Sequence, residues 1–230
     1  MGTPLTRDDK LILWMLAGTI VLMNIPYGHY PLYPFKLFAT WIHESFHGLA
    51  ALVTGGSVTS IDINPDTSGL TRSFISRSTG ASALVSSMGY LGTAIAGAIL
   101  LALRRRPRAQ RWALFILGGA AVLSLVFWIR NLFGGVTVAS IAAVIWLLAL
   151  RASDRWASMA TNILASQACV NALLDIRVLY SVEGNSDAVA MAQTIGLWPW
   201  FWATSWLVAS ALLFWAAWGT SPRSPAASRA

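Results

Sequence analysis

Six long stretches of this chain contain no Asp, Glu, Lys or Arg: Leu11 to Phe35, Ser78 to Leu103, Trp112 to Ile129, Asn131 to Leu150, Trp156 to Leu174 and Ala188 to Pro222. A helix needs about 18 to 20 apolar residues to cross the hydrocarbon core of a bilayer, and each stretch is near or above that length. A seventh apolar segment, Leu37 to Val53, is interrupted only by a short polar cluster. The pattern predicts an all-α polytopic membrane protein, a bundle of six to seven transmembrane helices at about 11–25, 34–54, 81–103, 112–129, 135–150, 157–179 and 197–218. Composition agrees, with 56% hydrophobic and 11% charged residues and a mean hydropathy of +0.61. Such a chain is too apolar for an ordinary soluble domain. Residues 1–220 read as a single membrane-embedded domain, and the Ser-, Pro-, Ala- and Arg-containing stretch 221–230 as a disordered tail.

The net charge of +7 does not point to nucleic acid. Arg104, Arg105, Arg106, Arg108 and Arg111 cluster between two spans, as in a cytoplasmic loop that touches anionic lipid. No basic groove interleaved with aromatics accompanies them, so the expected partners are the lipid bilayer and a membrane-protein or peptide substrate. Many of the 12 tryptophans fall near predicted span ends, which suits interfacial anchoring. The single Cys169 excludes an intrachain disulfide. Arg7 and Lys10 precede an apolar run as in a signal peptide, but no small-residue cleavage site follows, so the run is read as an uncleaved first span.

Within the segment Leu37 to Val53 lies His43-Glu44-Ser45-Phe46-His47, an H-E-x-x-H motif that uses two of the three histidines. Residues four apart share one face of a helix, so His43 and His47 can offer two imidazole nitrogens to one zinc ion. Glu44 is placed to act as general base towards water. Ionisable groups at membrane depth are costly and mark functional sites. The third histidine, His29, falls in the connection 26–34, which carries three prolines, and reads as a polar surface residue. Gly55-Gly56 is a carboxyl-terminal cap for the motif helix. Residues 57–73 alternate Val58, Ile61 and Ile63 with polar residues and turn at Asn64-Pro65-Asp66. They read as a short β-hairpin or extended segment.

A catalytic zinc site takes a third protein ligand. Asp175 is the acid set deepest in an apolar helix-length segment, with Asn171 four residues before it on the same face. Asp175 is therefore the first candidate ligand, with pairing to Arg177 or Arg130 as the alternative. Asp187 is the reserve, its position at the start of a short helix from 187 to about 195, capped by Ser186, giving it another explanation.

The run from His43 to Gly56, with Ser68-Gly69-Leu70-Thr71, Asn171 to Asp175 and Ser186-Asp187-Ala188, resembles the site-2 proteases, intramembrane zinc metallopeptidases of peptidase family fifty, in their short bacterial B-like branch. The likeness spans most of residues 35–195. It implies zinc held by His43, His47 and Asp175, water activated by Glu44, and substrate or transition state held by Asn171. It also implies an integral protein of a bacterial cytoplasmic membrane that cleaves peptide bonds in or near transmembrane segments. Many site-2 proteases carry Pro within the second motif and Gly after its Asp; this chain reads Asn-Ala-Leu-Leu-Asp-Ile there. The alternative functions are a non-proteolytic membrane chaperone or assembly factor, or a transporter, of similar fold. Alternating spans place 55–80 outside the cell, whereas the resemblance places the segment after the motif helix in the cytosol.

Overall fold

The computed structural model describes residues 5–178 and 186–220, with only the backbone described for 174–178 and 220. Among these, eight helices and one hairpin follow in the order α1 (Arg7–Met23), α2 (His29–Val53), β1 (Ser57–Ile63), β2 (Gly69–Phe74), α3 (Thr79–Ala102), α4 (Pro107–Phe127), α5 (Leu132–Arg151), α6 (Asp154–Val178), α7 (Asp187–Ile195) and α8 (Pro199–Thr220). Four of them, α3, α4, α5 and α8, are long and apolar enough to cross a membrane. The protein is thus an α-helical integral membrane protein with a two-stranded sheet. The expectation of six to seven spans counted α1, α2 and α6 as well. Of these three, α1 has only 17 residues, while α2 and α6 dilute their apolar character with the polar residues of the motif and with Asn162, Gln167 and Asn171.

One boundary departs from expectation. The connection 26–34 is not a loop, because α2 begins at His29 and carries Pro34 inside it. Pro31 sits in the first turn, where its missing N–H has no intrahelical partner to lose. His29 is exposed at the helix start, away from the motif. At the other end Gly55 adopts a φ of 79°, and Gly56 N–H donates to Ala51 O, the glycine-terminated cap that the sequence forecasts.

The hairpin folds back along α2. Its turn sits near the start of that helix, where Tyr33 Oη donates to Pro65 O, while Thr40 Oγ1 donates to Thr67 O and Thr71 meets Glu44 further along. β1 and β2 are antiparallel, with Ile61 opposite Thr71 and Ile63 opposite Gly69. Ile61 and Ile63 are fully buried and pack with Leu37, Trp41, Leu114 and Ile145, plugging the hairpin between α2, α4 and α5. Trp41 Nε1 donates to Ser124 Oγ within the same core.

α3 packs against α2, α6, α7 and α8. Its buried positions include Gly89, Thr93 and Gly97, a small residue every fourth position, which lets neighbouring backbones approach closely. Ala188, Met191, Ala203 and Trp206 form a separate cluster that fixes α7 against α8. At the end of α3, buried Arg104 bonds Asp9, caps Ala217 O and Trp218 O of α8, and stacks over Trp218. This ties the starts of α1 and α4 to the end of α8.

Candidate metal centre

Helical periodicity alone puts His43, Glu44 and His47 on one face of α2. Tertiary packing supplies the carboxylate. Ser186 caps α7 by accepting from Val189 N–H, and Asp187, its first residue, reaches across 144 positions of sequence to the histidines. Asp187 Oδ2 lies 3.1 Å from His43 Nε2 and 3.2 Å from His47 Nε2, and the two Nε2 atoms are 3.0 Å apart.

These three atoms fit zinc. In a tetrahedral site with bonds of about 2.0 to 2.1 Å, ligand atoms stand about 3.3 Å apart, close to the edges of this triangle. The far nitrogen of His47 is held as well, because its Nδ1 is 2.7 Å from Val85 O, a carbonyl that can only accept. The proton is therefore on Nδ1, and the Nε2 lone pair is free to face a cation. Gly89 of α3 completes the cradle: a Cβ there would come within 2.4 Å of both Nε2 atoms. Tyr90 packs edge-on against His43, 4.7 Å between ring centroids, and is itself stacked on Trp206 of α8.

The general-base candidate is held from the hairpin. Glu44 is buried, and Thr71 Oγ1 lies 2.8 Å from both its Oε2 and its backbone carbonyl. Gly69 lies against the same carboxylate, since a Cβ there would meet Glu44 Cγ at 2.5 Å. A cavity of about 690 Å³ opens over this group, walled by α2 from Lys36 to His47 and by residues 66–71 of the hairpin, with Tyr90, Ala172 and Asp187 also lining it.

Of the residues singled out in the sequence, the structure therefore brings together His43, His47, Glu44 and the reserve acid Asp187. Asp175 lies in α6, and its side chain is outside the described residues. Asn171 is buried in α6, and its Nδ2 has no hydrogen-bond partner among the described residues. Sequence reasoning placed Thr71 in the family-like run Ser68-Gly69-Leu70-Thr71 without giving it a role, and passed over Val85.

A family model described as Peptidase M50B-like matches residues 12–217. The chain belongs to that family. No curated protein and no solved structure matches it. The site-2-protease resemblance read from the motif is thus borne out at the level of family.

Proposed function

We propose that this M50B-like protein is an intramembrane zinc endopeptidase that hydrolyses peptide bonds in or near transmembrane segments, with His43, His47 and Asp187 as the protein ligands of the metal. The observation that carries the reading is the coincidence of a near-tetrahedral donor triangle with a buried carboxylate, Glu44, in one cavity of an apolar bundle. Zinc held there would supply Lewis acidity and bring the pKa of water towards about 7.

The remaining chemistry falls to the chain. Glu44 accepts the proton of the attacking water and returns it to the leaving amine. Its oxygen is oriented by Thr71, so the base is aimed before substrate arrives. Asn171, whose Nδ2 has no partner among the described residues and whose helix also contributes Ala172 to the cavity, is the proposed donor to the developing oxyanion.

Substrate must be unwound before its carbonyl is reached, and the hairpin supports a way to hold it. The outer edge of β1 is already paired: Ile61 N–H donates to Trp128 O, and Asn131 exchanges two hydrogen bonds with Ile63. Because Ile61 and Ile63 point their backbone groups away from β2, their partners Thr71 and Gly69 point theirs away from β1. Those groups form an edge of β2 that is unpaired among the described residues and lies beside the cavity, suited to strand addition by an extended peptide.

The deciding experiment measures zinc content and cleavage of a transmembrane peptide by wild type and Glu44→Gln. About one zinc per chain in both, with cleavage only by wild type, is expected. Cleavage by the Gln variant at the wild-type rate would overturn the base assignment. A folded, zinc-loaded wild type that cleaves no membrane substrate would favour a chaperone or assembly role.

A further inference from the structure

The cavity is elongated, and its far end carries a charge that the metal and base do not use. On α2 its wall is formed by Lys36, Thr40, His43, Glu44 and His47, one face of the helix over three turns. The hairpin wall follows in register, with Thr67 held to Thr40 and Thr71 to Glu44. β2 therefore runs in the same direction as α2, and a peptide added to its free edge would lie along both.

Lys36 stands at one end of that track, partly buried, with no ion pair or side-chain hydrogen bond among the described residues. Three acids share the cavity with it. Glu44 is bonded by Thr71 and Asp187 faces the histidines. Asp66 accepts from Ser68 N–H and Ser68 Oγ in the hairpin turn, which lowers its pKa. Among the described residues the ammonium group is thus an uncommitted cation lining the cleft.

The spacing assigns the substrate position it would meet. Lys36 precedes His43 by two helical turns, about 10.5 Å along the axis. An extended peptide advances about 3.3 Å per residue, so that distance covers about three residues.

We propose that Lys36 forms a specificity subsite for an acidic side chain, Asp or Glu, located about three to four residues from the scissile bond of the substrate. The subsite rests on the peptide-cleft reading of the cavity. It defines the substrate as a membrane-proximal segment in which a carboxylate follows or precedes the cleaved bond at that spacing, where a Lys–carboxylate pair partly shielded from water gives orientation as well as affinity.

The test uses the full chain in vesicles of neutral lipid and a set of otherwise identical transmembrane peptides, each with one Asp, the matching Asn or a Lys at successive positions around the cleaved bond. Wild type is expected to prefer Asp about tenfold in kcat/KM at one position three or four residues away. Lys36→Gln should erase that ratio, and Lys36→Glu should reverse it in favour of Lys at the same position. Binding of the same peptides to Glu44→Gln protein, with and without Lys36→Gln, reads the subsite without catalysis. If no peptide is cleaved but the Asp preference in binding depends on Lys36, the subsite stands and the protease reading falls. Cleavage with no Lys36-dependent preference at any position overturns the subsite and leaves the protease reading intact. An effect of Lys36→Gln that follows the anionic lipid content of the vesicles, and not the peptide acid, makes Lys36 a lipid anchor and also overturns it.

Discussion

Replacing Thr71 by Val tests whether the hairpin aims Glu44, the proposed catalytic base. Val matches Thr in shape and is equally suited to a strand, so the substitution removes the hydroxyl with little change in packing. The Glu44 backbone carbonyl keeps its helical acceptor role, but Oε2 loses a donor at 2.8 Å. A hydrogen bond to a charged group contributes about 1.5 to 3 kcal/mol, and about 1.4 kcal/mol corresponds to tenfold in rate. The single Thr71 proton is shared between two acceptors, which favours the lower part of that range. The expected loss in kcat is therefore about tenfold and at most about a hundredfold, with KM and zinc content near wild type. Thr71→Ser should recover most of the rate, because it restores the hydroxyl. The assay is steady-state cleavage of a fluorogenic transmembrane peptide by purified protein, with zinc measured on the same samples. A Val variant with wild-type kcat, or a Ser variant as impaired as Val, would refute the positioning role and leave Thr71 as a strand-to-helix tie.

Asp187→Asn should lower zinc affinity by at least tenfold, since a neutral amide is a poor zinc ligand; undiminished zinc binding would remove Asp187 from the site. Gly89→Ala should also deplete zinc although alanine favours helix, because its Cβ meets both Nε2 atoms at 2.4 Å, whereas Gly119→Ala, with nothing within 4 Å, should keep it. Asp9 is buried with Arg104 and Arg105, and although burial acts to raise its pKa, their hydrogen bonds and those of Thr6 hold it below the ordinary range. Its stabilising contribution is therefore present above an unfolded pKa of about 3.9 and is lost as pH falls towards the depressed folded value. Asp9→Ala should cost about 3 to 5 kcal/mol at neutral pH by leaving Arg104 buried and unpaired, read as a lower thermal midpoint in detergent; an unchanged midpoint would deny the pair a structural role.

What the chain discloses before folding is local. His43, Glu44 and His47 are neighbours on any helix, so their face was legible from spacing, and so were the Gly55 cap and the turn at Asn64-Pro65-Asp66. The alternation of Val58, Ile61 and Ile63 was enough to propose a hairpin. Helix length was less legible, because Pro31 and Pro34 look like breakers although the first turns of α2 accommodate them. The count of spans suffered from the opposite difficulty: α2 and α6 hold polar groups for reasons of site and packing, and these groups blur the apolar signal.

The acid at the site shows where local reading ends. Asp175, whose side chain lies outside the described residues, is the sequence's first candidate because it sits in an apolar stretch, where a charge needs a cation. Asp187 has an equally good local explanation as the first residue of α7, and that explanation is correct as far as it goes. The helix start delivers the side chain, while Ala188 and Met191, packed with Ala203 and Trp206, decide where the helix start is placed. The same holds for Thr71, whose hydroxyl gains its meaning only when the hairpin folds back beside Glu44, and for Gly89, whose missing Cβ matters only once α3 lies against both histidines. A site assembled at the junction of α2, β2, α3 and α7 is thus specified less by its candidate ligands than by small residues and apolar plugs that bring four separate elements to one cavity. In a bilayer, where lipid is as apolar as leucine and burial alone drives little helix association, that close packing is what fixes the chemistry in place.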